Sequence, residues 1–233
     1  MRILSTKILK ENQRELILNA GAQLVSYEAI KIVPIPFSIP DDMQQVILTS
    51  QHAVRLFHDA YQKKAMPQKA DLPIAVFSVG PKTTAIIQSL GYPVKHQAES
   101  AGELARWILK HEPKGSFTFF CSRIRRDELP DLLAEHHINL NQVPVYDAVA
   151  QEPKVTGHFD AVLFFSPSAV HAFAKSLPAG MEANPTKNTL ACCIGPTTAA
   201  AAQDYFDAIA IAHSTSVEST IAKAINTLKK QTI

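Results

Sequence analysis

The sequence predicts an α/β fold: two similar α/β domains with parallel sheets flanked by helices, joined by a two-stranded linker. Three observations carry that expectation. Short β-rich runs alternate with amphipathic helical runs along all 233 residues, the pattern of parallel sheets with helices on both faces. Segments of the first half recur in the second at an offset of 115 or 116, with Ser50 of ILTSQHAVRLF (Ile47–Phe57) falling on Ser166 of LFFSPSAVHAF (Leu163–Phe173). Extended stretches containing proline interrupt the alternation at equivalent places, Ile32–Pro40 and Val145–Val155. There the fixed φ of proline and its effect on the preceding residue keep the chain extended and stiff.

In chain order, strand Arg2–Ser5 leads to helix Lys10–Ala20, and strand Gln23–Ser26 to the first extended stretch. Strand Gln45–Thr49 meets helix Gln51–Lys63 at Thr49-Ser50. Strand Ile74–Val79 meets helix Lys82–Leu90 through Gly80-Pro81; glycine permits a tight turn, and proline suits a first helical turn whose N–H is free anyway. Helix Ala101–Lys110 follows Ser100-Ala-Gly-Glu103, the Ser-x-x-Glu form of a capping box. Strand Phe117–Cys121, helix Arg126–His136 and strand Asn141–Tyr146 complete this copy. The remainder repeats it: strand Ala161–Phe165, helix Pro167–Lys175, strand Leu190–Ile194, helix Thr197–Tyr205, strand Ala208–Ala212, and helix Val217–Lys229 behind a second capping box at Thr215–Glu218. Val79–Thr83 matches Ile194–Thr198 and Ser100–Glu103 matches Thr215–Glu218 at offset 115, while Ile3–Lys7 sits over Phe119–Arg123 at 116. Ordered matches at a near-constant offset indicate two copies of one unit. The two extended stretches would run side by side as a hinge.

Hydrophobic residues make up 46% of the chain and charged residues 19%, which supports a packed core and argues against disorder. A net charge of +2 with scattered Lys and Arg argues against a nucleic-acid surface, which would show a basic stripe. Cys121, Cys192 and Cys193 have neither metal nor disulfide spacing and read as small buried side chains in a reducing compartment. The opening MRILSTKILKEN has no long apolar stretch, so no signal peptide or membrane anchor is expected. No apolar run approaches the roughly 18 residues of a membrane-spanning helix. A cytoplasmic location follows as the expectation.

Ligands of open parallel sheets bind beyond the carboxyl ends of the strands. The hydroxyl clusters fall there: Thr49-Ser50, Ser78 with Thr83-Thr84, Ser166 and Ser168, and Thr197-Thr198. Free N–H groups and the positive dipole end make helix starts receptive to carboxylates or phosphates. The plain alternative for each hydroxyl is an N-cap, but both copies cluster more hydroxyls than caps require. Tyr146 ends its strand at the second extended stretch, where its hydroxyl would serve as a donor or weak acid, or merely be wetted while the ring packs. G-x-G-x-x-G, a complete P-loop, H-E-x-x-H and G-x-S-x-G are all missing. The nine histidines show no metal pattern.

In this order the segments resemble uroporphyrinogen-III synthase. The similar pieces are Ile47-Leu-Thr-Ser50 with Ala53-Val54, Val79–Thr83, Arg123–Leu133 running into Val145-Tyr146, Asp160–Ser168 and Ile194–Ala199. The resemblance spans nearly the whole chain and rests on the ordered set. It implies two α/β domains between which the chain crosses twice, residues 1–35 with 153–233 forming one and 36–152 the other, with the substrate cleft between them. It implies a cyclising hydro-lyase of tetrapyrrole (haem) biosynthesis. Such an enzyme closes hydroxymethylbilane to uroporphyrinogen III, losing water and inverting ring D, without cofactor or metal, usually as a monomer. By matching motifs, Thr49, Ser50, Thr83, Ser166, Ser168 and Thr198 are the implied substrate contacts. Tyr146 is the implied aid to hydroxyl departure, and Arg123 pairs with a substrate carboxylate or forms a surface salt bridge. Thr6-Lys7-Ile8 stands where members often have Thr-Arg-Pro, which keeps the charge and loses the bidentate fork. Gln45 stands where an acidic residue often precedes the strand, whereas Asp160 keeps it. A non-catalytic two-domain binding or regulatory protein for a small anionic ligand would show the same duplicated lobes.

Overall fold

Strand β1 (Arg2–Ser5) shows the logic of both sheets. Ile3 and Leu4 are fully buried, in two different hydrophobic clusters. Successive strand side chains point to opposite faces, so apolar residues on both faces place β1 between two helix layers. The structure, a computed structural model, describes residues 1–65, 74–124, 127–151, 157–177 and 188–231. After β1 come α1 (Glu11–Leu18), β2 (Gln23–Ser26), β3 (Ile30–Pro34), β4 (Gln45–Leu48), α2 (Gln51–Ala65), β5 (Ala75–Val79), α3 (Pro81–Ser89), β6 (Val94–Ala98) and α4 (Ala101–His111). The chain continues with β7 (Ser116–Ser122), α5 (Glu128–Glu135), β8 (Asn139–Ala150), β9 (Ala161–Phe164), α6 (Pro167–Lys175), β10 (Leu190–Cys193), α7 (Pro196–Ala202), β11 (Ala208–Ile211) and α8 (Val217–Gln231).

Two compact units result, Met1–Lys31 with Val149–Ile233, and Ile32–Ala148. The first holds a five-stranded sheet in the order β11-β10-β9-β1-β2, parallel throughout. Phe173 and Val170 of α6 and Ala202 of α7 cover one face; Ile17 of α1 and Ile221 and Leu228 of α8 cover the other. The second unit holds the order β3-β8-β7-β4-β5-β6. Phe57 of α2 and Ile87 of α3 cover one face, and Leu104 of α4 and Leu133 of α5 the other. Counted from β4, the second unit runs third-second-first-fourth-fifth across its sheet. Counted from β9, the first unit runs the same way, with β1 and β2 supplying its fourth and fifth strands. The repeat is therefore one topology twice, with the second unit inserted between β2 and β9 of the first.

Several local expectations are corrected. Ala161 pairs with Ile3, whereas Gln45, its counterpart, pairs with Phe117. Ile3 is thus level with Phe117 rather than Phe119, because β7 has seven residues and β1 only four. Helix α8 is capped by Ser216, not Thr215: its Oγ accepts the Ser219 N–H at 3.1 Å, while the Glu218 carboxylate accepts from Gln13 Nε2 at 2.7 Å. At α4, Ser100 Oγ does accept the Glu103 N–H at 3.1 Å, but the Glu103 carboxylate takes the N–H of Glu99, one residue before the cap.

Strands β3 and β6 were not foreseen. Both lie at sheet edges, where proline and polar side chains cost least. Strand β3 belongs to the first extended stretch, and it pairs with β8. Ile35 N–H donates to Val145 O at 2.9 Å and Gln151 N–H to Ala29 O at 2.8 Å. The residue numbers of both pairs have the same sum, which marks antiparallel pairing. The two stretches do run side by side, and the units change at Lys31 and Val149, inside these strands, rather than at 35 and 153. Pro153 and Val155 lie outside the described residues. Among the described residues no helix is long and apolar enough to cross a membrane, and no group of three or more His, Cys, Asp or Glu could hold a metal ion.

Candidate active site

In each sheet the strand order reverses between the first and fourth local strands, at β4 beside β7 and at β9 beside β1. Loops at such a switch point, beyond the carboxyl ends, are where open parallel sheets bind ligands. In the second unit Thr49 and Ser50 follow β4, and Ser50 is half-buried. Ser50 Oγ caps α2 by accepting the Ala53 N–H at 3.1 Å, and also accepts the Tyr146 hydroxyl at 3.0 Å. Tyr146 projects from β8 into the cluster containing Phe57, Phe120 and Val145 and is only 8% exposed. The His52 ring meets it edge-on at 5.8 Å. The sheet thus grips the ring and aims the hydroxyl at the start of α2. A serine accepting two hydrogen bonds keeps its own O–H as a donor.

Arg123 lies just beyond β7. Its N–H donates to Tyr146 O at 2.9 Å, and its guanidinium sits 3.1 Å from the Asp147 carboxylate. The arginine side chain is 60% exposed. With the arginine side chain open to solvent, a pair of this kind contributes about 0–1 kcal/mol. Thr83 and Thr84 are both buried in the first turns of α3. Thr84 Oγ1 is taken up by Ser78 Oγ at 2.7 Å and by Gly80 O at 3.1 Å, so Ser78 and Thr84 lock the turn internally. Thr83 has no such partner among the described residues. Gly80 has φ +79°, a left-handed value that a β-carbon disfavours.

In the first unit Ser166 caps α6, its Oγ accepting the Ala169 N–H at 3.2 Å. Ser168 is exposed in the first turn of α6, and Thr198 is 2% exposed in α7. Gly195 has an extended φ of −169°, so the two Gly-Pro turns are alike in sequence but not in backbone. The structure therefore brings Tyr146 and Ser50 into direct contact, with Arg123 bonded to the backbone of Tyr146. Ser166 is held in a capping role, and Thr83 and Thr198 are buried beside their turns.

Two hydroxyls at the switch points escaped the sequence reading. Thr6 Oγ1 donates to Leu163 O at 2.7 Å, bridging β1 to β9. Ser122, at the end of β7, buries a hydroxyl with no partner among the described residues. Thr6 stands at the Thr-Arg-Pro position but was not singled out as a site hydroxyl, Ser122 stands in no motif, and the strand order reveals the position of both. A cavity of ≈ 480 Å³ lined by Gln45, Glu112 and Ser116 opens at the amino ends of β4 and β7, at the other end of these strands from Thr49, Ser50 and Ser122.

Residues 12–222 match the family described as HEM4, uroporphyrinogen-III synthase HemD. The chain belongs to the uroporphyrinogen-III synthase family. A curated relative, the porphyrin biosynthesis protein HemD of Ruminiclostridium josui, is 25% identical over 240 residues, covering 95% of this chain and 46% of its own length. The chain thus spans about half the length of that curated relative. The crystal structure of uroporphyrinogen-III synthetase from Helicobacter pylori has a TM-score of 0.67 at 19% identity, covering 97% of this chain and 100% of that one. A mutant uroporphyrinogen III synthase from the extremely thermophilic bacterium Thermus thermophilus has a TM-score of 0.70 at 13% identity, covering 99% of each chain. At these identities the likeness establishes a shared fold, and a uroporphyrinogen-III synthase fold accounts for the duplicated, interrupted topology seen here.

Proposed function

We propose that the chain is a uroporphyrinogen-III synthase, a hydro-lyase that cyclises hydroxymethylbilane to uroporphyrinogen III without cofactor or metal. Family membership supports the reaction, and the Tyr146–Ser50 contact at the switch point of β4 and β7 is the observation that carries the site. The substrate largely activates itself. The pyrrole nitrogen of the first ring releases electron density, and the C–O bond of the hydroxymethyl group breaks. Tyr146 gives its proton to the departing hydroxide, which leaves as water. The substituted carbon of ring D attacks the resulting cation to form a spiro intermediate, which opens and recloses with ring D inverted. The proton lost as the pyrrole regains aromaticity restores the phenol. When the tyrosine hydroxyl turns to substrate, Ser50 keeps its bond from Ala53, so the helix cap survives.

Selecting the substituted carbon over the free α-position is a matter of orientation. Thr49, Ser50, Thr83 and Arg123 from the second unit and Ser166, Ser168 and Thr198 from the first are proposed to hold the substrate carboxylates. Hydroxyls, helix starts and a few cations can do this without a strongly basic protein, in keeping with a net charge of +2. The enzyme is further proposed to act as a cytoplasmic monomer. Supplying freshly made hydroxymethylbilane and resolving the product isomers tests the reading. Isomer III in excess supports it, and isomer I alone, as forms spontaneously, removes it.

A further inference from the structure

A buried hydroxyl without a partner costs stability, and Ser122 carries one. Its Oγ is shut off from solvent and has no hydrogen-bond partner among the described residues, and the residue is 9% exposed. Its place in the sheet gives that cost a reason. Leu48 of β4 pairs with Phe120 of β7, so two residues further on Ser50 comes level with Ser122, and Ser122 itself pairs with Tyr146 of β8. The three residues make one row across adjacent strands, all within the second unit. Neighbouring strands lie about 4.8 Å apart, so the backbones of Ser50 and Tyr146 stand about 10 Å apart with Ser122 between them. The Tyr146 hydroxyl meets Ser50 Oγ at 3.0 Å, and it reaches that far by crossing over Ser122.

A bulge aims the tyrosine this way. Cys121 pairs with Pro144 and Ser122 with Tyr146, which leaves Val145 as an extra residue in β8. Such a bulge re-aims a side chain. Val145 and Tyr146, though successive, both enter the cluster that holds Phe57 and Phe120, where strict alternation would send one of them to the other face. Residues level with one another on neighbouring strands share a face, so Ser122 lies on the Tyr146 side of the sheet.

We propose that Ser122 is a positioning residue that acts through Tyr146, its hydroxyl donating to the tyrosine oxygen once the phenol proton has been given up. The inference rests on the proposed function and deepens it at this one group. In the resting site the phenol donates to Ser50, and the Ser122 hydroxyl has nothing to meet. When Tyr146 protonates the departing hydroxide, its oxygen becomes a phenolate at the edge of a largely apolar cluster, and burial there penalises the charge. The Ser122 O–H turns to that oxygen and keeps its own proton throughout. A donor idle in the ground state and engaged as charge develops lowers the barrier and leaves substrate binding as it was.

The test uses the full chain with Ser122→Ala, Tyr146→Phe and the two changes together. Each is assayed on freshly made hydroxymethylbilane with the isomers resolved, beside a thermal melt of the same preparation. Ser122→Ala should lower kcat about tenfold with KM unchanged, the loss of one hydrogen bond to a charged group. Its thermal midpoint should equal or exceed that of wild type, because the change removes a buried hydroxyl that had no partner. On the Tyr146→Phe background, where no phenolate forms, Ser122→Ala should change kcat by less than about twofold. The inference alone falls if wild type makes isomer III and Tyr146→Phe is slow, yet Ser122→Ala keeps kcat within about twofold of wild type. It also falls if Ser122→Ala lowers kcat and the thermal midpoint together, or lowers kcat equally on both backgrounds. Unchanged turnover in Tyr146→Phe removes the proton donor and this inference with it. A wild-type chain that makes no isomer III overturns the function and this inference together.

Discussion

Replacing Tyr146 by phenylalanine removes one hydroxyl and leaves the ring. The phenyl group keeps its place among Phe57, Phe120 and Val145 and its edge contact with His52 at 5.8 Å. The loss to the fold is the single bond to Ser50 at 3.0 Å, and such a bond contributes about 0.5–1.5 kcal/mol net. Ser50 still accepts from Ala53, so the start of α2 is not undone. For a chain of this size about 1 kcal/mol moves the thermal midpoint by roughly 2–4 °C. The catalytic loss should be far larger, because a positioned proton donor contributes about 10²–10⁴ in rate, equivalent to about 3–5 kcal/mol in the barrier. The assay is initial turnover of hydroxymethylbilane with isomers resolved, run beside a thermal melt of the same preparation. The reasoning predicts a fall in kcat of about a hundredfold or more, with KM little changed. Turnover within about twofold of wild type, in a protein that melts normally, would refute the assignment of Tyr146 as proton donor.

The two Gly-Pro turns should respond differently to the same change. Gly80→Ala should destabilise by about 1–3 kcal/mol because φ is +79°. Gly195→Ala should be nearly neutral, since φ is extended and a new Cβ would meet only Thr215 Cγ2 at 3.7 Å; urea midpoints compare them. Ser166→Asn retains a capping acceptor and should cost only tenths of a kcal/mol, whereas Ser166→Ala should cost about 0.5–2 kcal/mol. If the hydroxyl also meets substrate, both changes raise KM. Burial pushes the Cys192 and Cys193 thiols and the Tyr27 phenol up to about 12. Unfolded, these groups lose protons near about 8.5 and 10, so the folded state binds more protons above those values. Stability should therefore be intact at about pH 8 and decline as pH rises toward about 12, read as a falling urea midpoint. The native thiols should also resist alkylation at about pH 8 and label quickly once the chain is unfolded.

The fold was legible wherever a strand carried apolar residues for both faces, as in Ile47-Leu48 and Val162-Leu163. It was not legible at β6, where Val94-Lys-His-Gln-Ala98 is an edge strand whose polar residues are tolerated by position. The offsets showed two copies of one unit and set Ile3–Lys7 over the β7 segment, yet the two-residue shift of Ile3 against Phe117 did not follow from them. Register depends on strand length, which periodicity fixes poorly. At the site, Ser50 and Ser166 were visible as caps because capping is a local bond. The Tyr146–Ser50 contact spans two strands and a helix start, and the Arg123–Asp147 pair depends on the register of β7 on β8.

The central claim is that the chain directs ring closure of hydroxymethylbilane rather than merely binding an anion. The decisive measurement is the isomer composition of uroporphyrinogen formed from a single addition of hydroxymethylbilane, with the chain in excess and the products oxidised and separated as porphyrins. The account predicts predominantly isomer III, with isomer I suppressed in proportion to the enzyme present. A product mixture identical to the enzyme-free control, from a folded chain, would contradict it.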